Sequence, residues 1–219
     1  MTLTTELDHL VVTTPSLALG AAFVQEQLGV YPEPGGEHMR MGTHNLLLRI
    51  GESAYLEVIA VNPAAVAPEC PRWFELDRPA SCAVPGLATW VVRTSGIGQA
   101  LSLAGFEHGR AERMSRGSLE WQIGLSADGG LPFQGVCPTL IQWEAGQHPA
   151  ARLARSGVTL VRLEGYHPDA GVIRRMLGPI GFQGRFEVSE ISPDASPGLV
   201  ATFETPTGLR QLRGSHDGQ

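Results

Sequence analysis

The sequence contains no lysine: all 16 cationic side chains among its 219 residues are arginine. A GK[ST] phosphate-binding box is therefore impossible. No G-x-S-x-G nucleophile elbow occurs either. Cysteine is scarce. Cys70, Cys82 and Cys137 are odd in number and lack metal-type spacing, which excludes a disulfide framework. Cys82 and Cys137 have no basic partner nearby in sequence and read as small buried side chains. Long apolar runs are missing too: each breaks within about ten residues, against the ~20 a membrane helix needs. The first eight residues are polar and acidic, with no apolar signal-type region. Positive charge is in deficit, with 16 basic against 22 acidic residues and a net charge of −6. Nucleic-acid affinity is largely electrostatic, and no basic cluster exists to supply it. The expectation is a soluble, cytoplasmic protein with no nucleic-acid or membrane partner.

What is present is a globular composition, 42% hydrophobic, with 27 glycines and 16 prolines. Such a chain can bury a core and is built from short elements joined by turns. Residues 7–14 (LDHLVVTT) read as a buried strand stopped by Pro15, and residues 16–29 as a helix running from that proline to Gly29. Strand-like runs follow at 38–41, 43–50 and 54–61. The same β-α-β-β-β order then returns. Residues 87–94 (LATWVVRT) match the first strand in texture, 97–105 are helix-like, and 109–116, 118–126 and 138–144 are strand-like. A third, shorter round has a strand at 158–163, a helix at 168–181 and strands at 186–191, 199–204 and 209–212. Connectors lie at 62–85, with a short helix at 72–76, and at 145–157, helical at 149–155.

Strand alternation assigns faces. In the first strand Leu7, His9, Val11 and Thr13 share one face, and Asp8, Leu10 and Val12 the other. In the fourth, Tyr55, Glu57, Ile59 and Val61 share a face, and Leu56, Val58 and Ala60 the other. The apolar sets suit the helix side, so His9 and Glu57 should both point into the concavity of the sheet.

The segments LDHLVVTTPSL, GTHNLLLRIG and AYLEVIAV, with PTLIQWEAGQHPA later, resemble a glyoxalase-like domain of the vicinal oxygen chelate superfamily over residues 7–213. The resemblance implies an α+β fold of paired βαβββ modules. Residues 1–146 would form that domain, from modules at 5–62 and 86–145. Residues 147–213 would pack on it as a third, shorter βαβββ-like unit, and 214–219 would be a tail. Modules of this family also pair between chains, which makes a homodimer a further expectation.

Members commonly hold a divalent metal on the first and fourth strands of two modules, where it stabilises a developing enolate or oxyanion. Here the resemblance points to His9 and Glu57 as catalytic residues and metal ligands. The second module has Thr89 opposite His9, and Ile141 or Gln142 opposite Glu57; the third has Arg162 and Gln211. Such a site is half populated. Either His44 or His38 completes a metal site, or two side chains and waters hold it, or the pair works without metal as a base and an orienting group. A further reading makes His9 and Glu57 simply partners of each other. Because neighbours alternate, only one of His44 and Asn45 can face inward, and both suit turn chemistry. His38 reads as exposed and His148 as a connector residue. Asn45, Trp121, Gln122, Gln142 and Trp143 are candidates for binding a small-molecule ligand, with at least one tryptophan in the core. Two functions fit: an enzyme of lyase, isomerase or dioxygenase type acting on a small oxygen-rich molecule, or a non-catalytic binding or sequestering (resistance-type) protein.

Overall fold

Ser16 and Gly29 bound the first helix of the protein. The Ser16 hydroxyl accepts a hydrogen bond from the Leu19 N–H at 3.3 Å, and Gly29 closes the helix with a left-handed φ of +76°. In the computed structural model, which describes residues 3–79, 83–105, 108–144 and 148–214, this helix lies in the first of two βαβββ modules. That module comprises β1 (Thr5–Thr13), α1 (Leu17–Leu28), β2 (Glu33–His38), β3 (Thr43–Arg49) and β4 (Tyr55–Val61). The second comprises β5 (Gly86–Thr94), α2 (Ile97–Ala104), β6 (Arg110–Arg116), β7 (Leu119–Leu125) and β8 (Thr139–Trp143). Cys82 lies outside the described residues, as does most of the tail.

In each module the last strand lies parallel to the first, and β1 and β5 join antiparallel. One continuous sheet results, ordered β2-β3-β4-β1-β5-β8-β7-β6. It curls until its two ends approach: Arg40, just beyond β2, pairs with Glu112 of β6 at 2.6 Å. On the convex face Leu10, Val12, Leu56 and Val58 pack with Val24 and Leu28 of α1. The concave face carries a separate core that includes Val11, Ile59, Val91, Met114, Trp121 and Ile141.

The third round comprises β9 (Thr159–Tyr166), α3 (Ala170–Leu177), β10 (Phe182–Gln183), β11 (Phe186–Ser189), β12 (Gly198–Thr205) and β13 (Gly208–Arg213). It repeats the order of elements along the chain but not their order in space. Its sheet runs β11-β9-β12-β13, with β9 internal and parallel to β11. β10 leaves it to pair with Thr5 and Glu6, the part of β1 that extends past the start of β4. This unit covers the convex side of β5. There Trp90 is fully buried against Phe182 and Phe186, and its indole N–H donates to the Val136 carbonyl at 2.9 Å.

Several local expectations shift. The second strand lies at Glu33–His38 rather than 38–41, because an edge strand with Pro34 and two glycines carries little strand propensity and takes its pairing from β3. The connector helices are single 3-10 turns, Trp73–Glu75 and Pro149–Ala151. The first holds Phe74 and Glu75 at φ of 55° and 57°, which no α-helix accommodates. The helix expected at 168–181 spans Ala170–Leu177. Among the described residues no helix is long and apolar enough to cross a membrane.

Candidate functional site

Alternation carries His9 and Glu57 to the concave face, where His9 Nε2 lies 3.6 Å from Glu57 Oε2. Both are buried. The Asn45 side-chain amide donates to Glu57 Oε1, and Asn45 Oδ1 accepts from the Gly36 N–H at 2.9 Å. Asn45 is therefore the inward member of its pair with His44. His44 lies opposite Glu37 and takes no part in the cavity lining, which removes it from any ligand set. His38 is buried rather than exposed. Strand β2 extends far enough to carry its ring inside, with Nδ1 3.1 Å from the Thr43 hydroxyl and Nε2 4.0 Å from Glu57 Oε1. Burial, and then the charge of Arg116, lower its pKa to about 3, so it is neutral at pH 7.

Asp8 overturns the expected face assignment. Leu7 pairs with Val92 and His9 with Val91, so Asp8 is an extra residue with no partner on β5. Such a bulge breaks the alternation and re-aims a side chain. Asp8 consequently leaves the apolar helix side and sits fully buried beneath His9. It accepts three N–H bonds: from His9 Nδ1 at 2.7 Å, Trp143 Nε1 at 2.9 Å and His148 Nε2 at 3.1 Å. Burial alone would raise its pKa, but the hydrogen bonds from His148 and His9 prevail and hold the carboxyl well below the usual carboxylate range. An ionised carboxylate only accepts, so His9 Nδ1 carries a proton, and Nε2 is the ring atom turned toward Glu57 and the cavity. His148 is thus more than a connector residue. Its Nδ1 accepts from the Ala150 N–H, which fixes the proton on Nε2. The Tyr55 ring stacks on His9 with centroids 4.6 Å apart; burial, reinforced by Asp8 and Glu57, raises its pKa and keeps its hydroxyl protonated.

Of these groups His9, His38, Tyr55 and Glu57 line a cavity of about 20 Å³, room for about one water molecule. Its other walls include Trp73, Phe74, Arg116, Trp121, Ile123, Ile141 and Trp143. Trp73 and Phe74 belong to the concave core with Ile59, while Ala150 and Leu153 of the connector cluster with Leu47 and Tyr55. Both tryptophans proposed from sequence face the cavity. Gln122 and Gln142 do not. They pair with each other on the opposite face of the sheet, and Gln142 Oε1 caps α2 by accepting from the Ile97 N–H at 2.8 Å. Thr89 hydrogen-bonds the Gly135 carbonyl and takes no part in the lining. Cys137 is buried, which pushes its thiol up to about 12, whereas Cys70 is exposed.

The divalent metal implied by the resemblance does not fit these residues as arranged. Among the described residues no three His, Cys, Asp or Glu side chains form a group that could hold a metal ion. The second module contributes indoles, isoleucines and a guanidinium to the cavity rather than donors.

No curated protein matches the chain. Among solved structures, a hypothetical protein from Staphylococcus aureus aligns with a TM-score of 0.54 at 14% identity, over 95% of this chain and 84% of that one; this likeness shows the fold alone. Methylmalonyl-CoA epimerase from Mycobacterium tuberculosis gives 0.41 at 15% identity, over 64% and 88%. A variant of 4-hydroxymandelate synthase from Streptomyces coelicolor gives 0.44 at 13% identity, over 95% and 62%. The family model described as a glyoxalase-like domain matches residues 7–180, well over half of the sequence, and the chain belongs to that family.

Proposed function

We propose that the protein is an enzyme that moves a proton at a carbon next to a carbonyl in a small oxygen-rich molecule, with His9 as the base. One observation carries this reading: a buried carboxylate grips His9 at Nδ1 while the basic Nε2 faces a largely apolar cavity, 3.6 Å from a second carboxylate. In the forward step His9 Nε2 takes the proton, and the C–H electron pair passes into the carbonyl as an enolate. Asp8 stabilises the resulting imidazolium from the Nδ1 side and Glu57 from the Nε2 side. Return of the proton to carbon gives an isomerase, and loss of a neighbouring group gives a lyase. The test is deuterium exchange at carbon, followed by NMR in D₂O over a panel of small hydroxy- and oxo-compounds. Exchange should occur with the wild type and fall at least tenfold in His9→Gln and Asp8→Asn. Equal exchange in both variants overturns the reading. The second reading, a binding protein without turnover, draws on the aromatic and aliphatic wall of the second module. Saturable binding with no exchange would favour it.

A further inference from the structure

Arg116 faces the cavity from the end of β6, on the same side of that strand as the buried Met114. It is partly buried, and among the described residues its guanidinium has neither a hydrogen-bond nor an ion-pair partner. The carboxylates of the cavity are already engaged: Asp8 accepts three N–H groups, and Glu57 is held by Asn45 beside His9. The chain also makes room for this side chain. A Cβ on Gly36 of β2 would come within 2.9 Å of Arg116 Cδ, so glycine there lets the arginine stem lie across the strand. A guanidinium retains its charge at any accessible pH and presents a planar fork of donors that matches a carboxylate in two parallel hydrogen bonds.

We infer that Arg116 is an anion-binding residue of the cavity and that the ligand is a small monocarboxylate, held by its carboxylate at Arg116 with a proton-bearing carbon beside its carbonyl group turned toward His9. The inference rests on the proposed proton transfer for its placement of the reacting carbon, but the binding of charge stands apart from turnover. It also accounts for the misfit of a divalent metal: the fixed positive charge of this cavity is a side chain. The cavity is small, which restricts the ligand to few heavy atoms.

The experiment is a calorimetric titration of the full chain with glycolate, lactate and pyruvate, and with lactamide as the neutral counterpart of lactate. At least one carboxylate should bind, and lactate should bind at least tenfold more tightly than lactamide. Arg116→Gln should abolish that preference and Arg116→Lys restore part of it. Equal affinity for lactate and lactamide, an unchanged preference in Arg116→Gln, or failure of all three carboxylates to bind overturns the inference. If Arg116→Gln fails to fold, as judged by its thermal melt, the lactate–lactamide comparison on the wild type decides alone. Deuterium exchange measured on the same samples separates the two ideas. Exchange without charge preference sinks only the role of Arg116, and charge preference without exchange sinks only the proton transfer.

Discussion

A carboxylate set within an apolar strand must be offset by partners, because burying it alone costs several kcal/mol. For Glu57 the donor is the Asn45 amide, with the rings of His9 and His38 within 4.0 Å. Glu57→Gln keeps the shape and removes the charge. Turnover should fall at least tenfold, on the order of 1.4 kcal/mol in the barrier, with the melting temperature little changed; a large loss of stability with full turnover in the folded fraction would make the residue structural. Acid should lower the stability over two overlapping pH ranges. His38 binds no proton in the folded chain until about pH 3 but titrates near 6.5 when unfolded, so its stabilisation is complete above 6.5 and is lost as pH falls toward 3. The depressed Asp8 acts in the same direction lower down, its contribution present above 3.8 and lost as pH falls through its folded value. Urea melts at pH 7, 5 and 4 should show the decline, and His38→Gln should flatten it. Alternation alone places His9 and Glu57 on one face. It misplaced Asp8 because a bulge has no signature in a single sequence. It missed His38 and His148 because their positions depend on where β2 ends and how a connector folds back. The inward face of Arg116 was readable from the apolar Met114 two residues earlier.

At the scale of elements, the caps of α1 and the apolar strands declare themselves in the residues, whereas the poorly strand-forming β2 and the left-handed turn at Phe74 and Glu75 are imposed by their neighbours. The third unit illustrates both cases. Its sequence order is legible, but its strand order is not, because β10 is recruited by the unpaired start of β1. The apolar side of this unit covers Trp90, and Phe203 lies fully buried in the same core. Phe203→Ala should cost about 3–5 kcal/mol in urea unfolding, as a large core side chain left as a cavity does. Removal of everything after residue 157 should leave the convex side of β5 exposed and the remainder prone to aggregation. A stable, soluble fragment from limited proteolysis at that point would show instead that the first two modules stand alone.

At the scale of the molecule, the two modules meet at the β1–β5 seam with matched strand orders and unmatched contents. One supplies His9, His38, Asn45 and Glu57; the other supplies Trp121, Ile123, Ile141, Trp143 and Arg116. Zinc or magnesium should therefore leave the melting temperature where it is, and a chelator should do the same; a clear rise with either ion would restore the metal. The unequal halves also have a consequence for stoichiometry. Two identical modules about a symmetric seam would offer the reacting groups twice, and ligand would saturate at two equivalents per pair. Here the donors stand on one side of the seam and the wall and the cation on the other. A titration should end at one equivalent per chain, with a Hill coefficient of one.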